Sequence, residues 1–192
     1  MNPSESKTAL RRKNRGVLMN LPPEQRAADS AKICALLIRQ PFWQNAASVL
    51  FFAPLPGEVD MWPLLEETAP GAKTAALPRF DLTDQTYVAC RVQNPQSEIA
   101  IGQFGIREPR AGCVEVALSR LDLILVPGVA FDSSGRRLGR GRGFYDRLLA
   151  EMSGLKCGVA FDEQIVGEVP AGAHDETMNF ILTPTRCVRC EG

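Results

Sequence analysis

The chain has 192 residues, 45% of them hydrophobic, and its 22 basic residues are balanced by 22 acidic ones. That is enough apolar content for one substantial core in a single domain over 1–192, and a net charge of zero excludes a surface tuned as a whole to nucleic acid or an anionic membrane, so any positive site has to be local. No apolar run approaches the roughly 20 residues that span a bilayer, and residues 1–21 carry Lys7, Arg11, Arg12, Lys13 and Arg15 without the unbroken apolar stretch of a signal peptide, so the expected location is the cytoplasm.

Lys7 to Leu21 is helical in composition, with Leu10, Asn14, Val17, Leu18 and Leu21 on one modest stripe and Lys7 and Arg11 one turn apart on another face. A charged face of this kind reads first as solvated helix surface. Leu21-Pro22-Pro23-Glu24 restarts a helix, because proline is tolerated in a first turn and Glu24 suits the positive end; the helix is expected to reach about Arg39 before Pro41 stops it. Ser48 to Phe52 is apolar without alternation, as in a strand covered on both faces. It leads into a loop where Asp60 can cap a helix through Leu64, Leu65 and Glu66. Glu58 lies in that loop, at the carboxyl end of the strand, where α/β proteins place ligands; it has a functional reading beside the solvated one.

Lys73 to Leu77 and Tyr87 to Val92 are predicted strands, with Pro78-Arg79-Phe80 turning the first outward. Gly102 to Pro109 is a glycine-punctuated segment with one aromatic, Phe104, expected to turn rather than to wall a pocket. Leu121 to Val126 is the strongest strand and belongs centrally in a sheet. It enters Gly128-Val129-Ala130-Phe131-Asp132, and the same five residues recur at Gly158 to Asp162. Two strand ends separated by a helix fit a βαβ crossover, with both loops on one edge of the sheet. A last strand is predicted at Asn179 to Leu182. His174, the single histidine, reads as a surface or hydrogen-bonded residue rather than a catalyst. The six cysteines are expected to be reduced and structural; Cys187 and Cys190 have metal-pair spacing but no second pair to complete a site.

Between the two repeats lies the stretch that organises the rest, Arg136-Arg137-Leu138-Gly139-Arg140-Gly141-Arg142-Gly143-Phe144-Tyr145-Asp146. Alternate glycines let the backbone approach a ligand closely. Tyr145, Leu148, Leu149 and Met152 then recur at helical spacing, so the loop feeds a helix start, and amide hydrogens with guanidinium forks make a candidate anion site suited to phosphate. Neither a P-loop nor a G-x-G-x-x-G spacing is present. Only two Arg-Gly steps occur in this stretch, and the chain is neutral, which argues against an RNA-binding segment. Asp146 stands in the first helical turn, and Asp175, a second carboxylate, could share Mg²⁺ with it and with phosphate oxygens.

Taken in order, Lys7-Thr8-Ala9-Leu10-Arg11, Phe52 to Asp60, Leu77-Pro78-Arg79, Gly105 to Pro109, Leu121 to Asp132, Arg137 to Asp146 and Pro170 to Asp175 resemble the 5-formyltetrahydrofolate cyclo-ligase family, also called methenyltetrahydrofolate synthetases. The resemblance implies a three-layer α/β fold of the NagB/RpiA/CoA-transferase-like type, a mostly parallel or mixed central sheet flanked by helices with an N-terminal helical segment. It implies ATP- and Mg²⁺-dependent closure of 5-formyltetrahydrofolate, in which the formyl oxygen attacks the γ-phosphate and N10 then displaces phosphate. A nucleotide-dependent small-molecule kinase on the same fold is the alternative.

Carried over by position, the resemblance assigns ATP to Lys7, Thr8, Ala9, Leu10 and Arg11 and to Arg137, Leu138, Gly139, Arg140, Gly141, Arg142, Gly143, Phe144 and Tyr145. Ala53 and Glu58 correspond to substrate-contacting positions, with Arg140, Gly141, Arg142, Gly143 and Phe144 also facing the folate, which could be polyglutamylated. Arg140 and Tyr145 are the implied catalytic residues, and Asp146 and Asp175 the Mg²⁺ carboxylates. Phe144 stands where many relatives carry tyrosine, Arg142 where lysine or glycine is common, and Arg140 at a variable position. No nucleic acid and no membrane is implied as a partner.

Overall fold

The computed structural model describes residues 3–102, 104–141, 143–170, 172 and 175–190. Its elements in chain order are α1 (Pro3–Asn20), α2 (Pro23–Leu37), α3 (Pro41–Asn45), β1 (Ser48–Leu50), α4 (Trp62–Thr68), β2 (Thr74–Asp81), β3 (Thr86–Val92), α5 (Pro95–Glu98), β4 (Ile99–Ile101), β5 (Arg107–Pro109), β6 (Glu115–Val116), β7 (Leu123–Pro127), β8 (Ala130–Phe131), β9 (Arg137–Leu138), α6 (Phe144–Ala150), β10 (Leu155–Val159), β11 (Phe180–Leu182) and β12 (Cys187–Arg189).

The main sheet has 8 strands in the order β12-β11-β10-β7-β1-β2-β3-β6. Its centre is parallel, and β12, β3 and β6 are antiparallel to their neighbours. Alternation along the strands divides the core in two. Val49, Ala75, Leu123, Leu125, Cys157 and Leu182 face Ile33, Leu37, Trp43 and Leu65 of α2 to α4. Leu50, Ala76, Ile124, Val126 and Ile181 face Leu148, Leu149 and Met152 on and beyond α6. A helix layer therefore covers each face, which is why β1 and β7 read as unbroken apolar runs. This is the expected α/β architecture with its N-terminal helical segment.

Several local expectations change. Pro78, Arg79 and Phe80 do not turn outward; β2 continues to Asp81, paired with β3. The last β1 pairing is at Ala76, so beyond it a proline breaks no ladder bond on that side. Asp60 lies one residue before the cap position of α4, and its Oδ1 accepts the Trp62 N–H at 2.9 Å. The repeated pentapeptide is not equivalent by register. Val126 stands opposite Gly158, so the second copy begins two residues earlier in its strand than the first. The two glycines nevertheless share one function, since the Phe131 ring lies where either Cβ would be, 2.6 Å from each.

The cysteines are not all reduced: Cys90 and Cys113 form a disulfide. The β3–β6 register sets Cys90 against Glu115, and Cys113, two residues before Glu115, lies diagonal to Cys90 within reach of it. Cys187 and Cys190 pack into different core halves, one on each face of the sheet. Among the described residues no helix is long and apolar enough to cross a membrane.

Candidate active site

The strand order places a crevice at the carboxyl edge. From β1 the chain moves to β2 on one side, and from β7 it moves to β10 on the other; ligand sites open where such connections diverge. The β1 exit carries Ala53 and Glu58, with Glu58 Oε2 held by the Leu55 N–H at 2.9 Å. The β7 exit carries Pro127, whose carbonyl accepts Arg137 Nη1 at 3.2 Å.

Arg137 opens β9 rather than a loop, and β9 turns its side chain inward until 3% is exposed. There Nη2 meets Asp146 Oδ1 at 2.5 Å, while Nε is buried with no partner among the described residues. The expected open guanidinium fork is at this residue a buried cation that fixes the first turn of α6. Its charge also lies 5.6 Å from the centre of the Tyr145 ring.

Beyond Leu138 the backbone needs its glycines. Gly141 has φ +97°, and the Arg11 guanidinium stands 3.3 Å from where its Cβ would be; Gly143 starts α6 at φ +66°. Either side chain would be strained, and at Gly141 it would also push Arg11 away. Arg11 Nε donates to Gly139 O at 2.9 Å, so α1 is sewn to the glycine loop. Two further bonds fasten α1, Lys7 Nζ to Asp175 Oδ2 at 2.6 Å and the buried Asn14 Nδ2 to Val129 O at 3.2 Å. On the other side of the loop Arg140 donates through Nε and Nη2 to Glu58 Oε1 at 2.9 and 2.8 Å.

These elements enclose a cleft of about 400 Å³. It is lined by the cations Arg15, Arg107, Arg137 and Arg140 and by an apolar wall of Leu55, Pro78, Tyr87, Phe104 and Ile106. Phe80 meets both Tyr87 and Phe104 edge-on, at ring separations of 5.3 and 5.1 Å, and so backs that wall. Glu58 and Asp146 add two carboxylates to the lining. A flat heteroaromatic ring fits the apolar wall and a polyphosphate the cations.

Burial, and then the Glu58 charge, push the Tyr145 phenol well above its usual range against the opposing pull of Arg137, so this residue is a neutral hydrogen-bond donor. Burial raises the Asp175 carboxyl, but the Lys7 hydrogen bond, the Gly172 N–H and the charges of Lys7 and Arg137 outweigh it and leave the group below the ordinary aspartate value. Asp146 and Asp175 each keep one oxygen without a hydrogen bond among the described residues.

Of the residues expected from the sequence, Ala53, Glu58, Arg137, Gly139, Arg140, Gly141, Gly143, Tyr145 and Asp146 line the cleft. Lys7, Arg11 and Asp175 brace it from α1 and the 172–175 segment. Thr8 and Ala9 are exposed, Leu10 packs against Val129 and Leu138, and Leu138 is itself core, its carbonyl bonded to the Val129 N–H. Arg142, His174 and the side chain of Phe144 lie outside the described residues. The Gly102 to Pro109 segment does more than turn, because Phe104, Ile106, Arg107 and Glu108 wall the cleft. Arg15 was signalled in the sequence: Lys7, Arg11 and Arg15 recur every four residues on one helix face. Arg107 is held over the Trp62 ring at 4.6 Å, a contact no local pattern announces.

The family model described as the 5-formyltetrahydrofolate cyclo-ligase family matches residues 3–184. The 5-formyltetrahydrofolate cyclo-ligase of Escherichia coli (strain K12) is 33% identical over 170 residues, covering 86% of this chain and 93% of that protein. The Mus musculus protein of the same name is 30% identical over 191 residues, with 93% and 94% covered. The solved structure of Aquifex aeolicus 5,10-methenyltetrahydrofolate synthetase superposes with a TM-score of 0.88 at 35% identity, covering 97% of this chain and 93% of that one. The chain belongs to the 5-formyltetrahydrofolate cyclo-ligase family.

Proposed function

We propose that the protein catalyses, in the cytoplasm, the ATP- and Mg²⁺-dependent cyclisation of 5-formyltetrahydrofolate, with or without a polyglutamate tail, to 5,10-methenyltetrahydrofolate, releasing ADP and phosphate. The observation that carries this reading is that one cleft is lined both by apolar and aromatic side chains and by the arginine-bearing glycine loop, which the Glu58–Arg140 pair ties to the β1 exit.

On this reading the pterin ring lies along Tyr87, Phe104 and Ile106, and Glu58, an acceptor-only carboxylate, takes its N–H donors. The phosphates lie along Gly139 to Gly143, where Arg11, Arg137 and Arg140 neutralise charge. Arg140 is 44% exposed on its side chain and is the arginine with freedom to move from Glu58 towards the transferring phosphate. The formyl oxygen attacks the γ-phosphorus and ADP leaves. N10 then attacks the activated carbon, and the C–O bond breaks to release phosphate, which carries the former formyl oxygen and takes up the proton lost from N10. Neither step needs a protein nucleophile; both need alignment and charge stabilisation. Tyr145, held neutral, donates a hydrogen bond and takes no proton.

Asp146 and Asp175 fit Mg²⁺, because each offers a hard oxygen that no described residue bonds, and the ion takes one or two carboxylates with phosphate oxygens and water. When bound it supplies charge neutralisation at the phosphates.

The test is to supply 5-formyltetrahydrofolate, ATP and Mg²⁺ and follow the absorbance of the methenyl product. Product formed only with all three present supports the reading. ATP turnover that ignores folate and responds to another acceptor would instead identify a small-molecule kinase.

A further inference from the structure

Glu108 lines the cleft, but its carboxylate is committed elsewhere. Oε2 accepts the Phe80 N–H of β2 at 3.0 Å. The rest of the carboxylate lies directly on the α-carbon of Gly102, where a Cβ would coincide with it. Gly102 ends the β4 arm of the hairpin and Glu108 belongs to β5; the Gly102 N–H donates to Ile106 O at 2.8 Å across the tip. The same Phe80 whose amide receives Glu108 sets its ring edge against Phe104 at 5.1 Å. One side chain therefore fixes the hairpin to the sheet at the residue that also backs its aromatic.

We infer that Glu108 is a positioning residue, which holds the β4–β5 hairpin against β2 and so sets Phe104 and Ile106 at the distance from the glycine loop that a ring substrate requires; Gly102 is glycine to leave room for it. This rests on the function proposed above only for the identity of the ring. A carboxylate serves here as the acceptor for the Phe80 N–H of β2, and glutamine of the same shape can do so too.

The experiment compares Glu108→Ala, Glu108→Gln, Gly102→Ala and the double variant Gly102→Ala/Glu108→Ala by steady-state kinetics and by amide hydrogen exchange at Phe80. Glu108→Ala raises the KM for 5-formyltetrahydrofolate about tenfold, with kcat and the KM for ATP within about twofold, and speeds exchange at Phe80. Glu108→Gln restores both to near wild type. Gly102→Ala, whose methyl group displaces the carboxylate, reproduces Glu108→Ala, and the double variant is no worse than Glu108→Ala alone, since the obstacle has gone. Unchanged Phe80 exchange in Glu108→Ala, a fall in kcat without a rise in KM, or additive losses in the double variant would overturn the inference. Should Gly102→Ala fail to fold, the alanine and glutamine variants at 108 still decide it. A wild type inactive on folate would contradict the proposed function, while exchange at Phe80 would still decide whether Glu108 holds the hairpin.

Discussion

Arg140 grips a single oxygen of Glu58 through two of its nitrogens, at 2.9 and 2.8 Å, and so ties the glycine loop to the exit of β1. The other Glu58 oxygen is held by the Leu55 amide, which leaves the carboxylate 10% exposed and fixed in place. On the proposed function Glu58→Ala removes the acceptor for the ring's N–H donors and unties Arg140. It is expected to lower kcat/KM for 5-formyltetrahydrofolate by about 10- to 100-fold, equivalent to about 1.5–3 kcal/mol for hydrogen bonds to a charged group. Steady-state kinetics with folate as the varied substrate checks this. A loss seen only in the KM for ATP would be inconsistent with it.

Asp146 has two roles that a substitution can separate. Its Oδ1 neutralises buried Arg137, and its second oxygen is the proposed metal donor. Asp146→Asn keeps the shape and an acceptor for Arg137, so its thermal midpoint stays within a few degrees of wild type, about 1 kcal/mol for a chain of this size. Its Mg²⁺ requirement for turnover rises about tenfold or more, because an amide is a weaker donor to a hard cation. Asp146→Ala removes the hydrogen-bond acceptor of Arg137 as well as the charge and loses about 1–3 kcal/mol by denaturant titration.

Parts of this arrangement were legible in the residues and parts were not. β1 and β7 read as apolar runs because both their faces are covered, and that signal is local. The glycine–arginine stretch also announced itself by composition. Arg137 misled because burial is decided by β9, a two-residue strand with no periodicity to detect. The wall formed by Phe104 and Ile106 depends on a Phe80–Glu108 bond spanning 28 residues, and the Glu58–Arg140 pair spans 82. Such contacts come from the order of the strands, which a local pattern does not contain. The Cys90–Cys113 pairing has the same origin, in the β3–β6 register.

Asp122 should make acid sensitivity visible at the opposite edge of the sheet. Its Oδ2 accepts the Ser48 hydroxyl and the Ser48 and Ala47 amides, and the Ser48 hydroxyl foremost holds the carboxyl below the usual aspartate value, against the pull of desolvation. A depressed folded-state pKa stabilises the fold above the unfolded value of about 3.9 and is lost as the pH falls through the lower folded one. Because the Asp122 carboxylate is exposed and solvent screens it, wild type should exceed Asp122→Ala by no more than about 0.5–1 kcal/mol near neutrality in urea titrations, with the gap closing below about pH 4. A gap that persisted at lower pH would assign the difference to packing.

The disulfide gives a chemical count. Protein unfolded without reductant should expose the thiols of Cys34, Cys157, Cys187 and Cys190 to a thiol reagent, while Cys90 and Cys113 react only after reduction. The bridge closes 23 residues that include the β4–β5 hairpin, so reduction is expected to cost about 3 kcal/mol of stability. Six reactive thiols before reduction would contradict the pairing.

The central claim is that one cleft brings the formyl oxygen to the γ-phosphate, and isotope transfer tests it most directly. With 5-formyltetrahydrofolate labelled by oxygen-18 at the formyl group, turnover should deliver the label into the released phosphate, one atom for each methenyl product formed. Unlabelled phosphate formed alongside product would contradict the account.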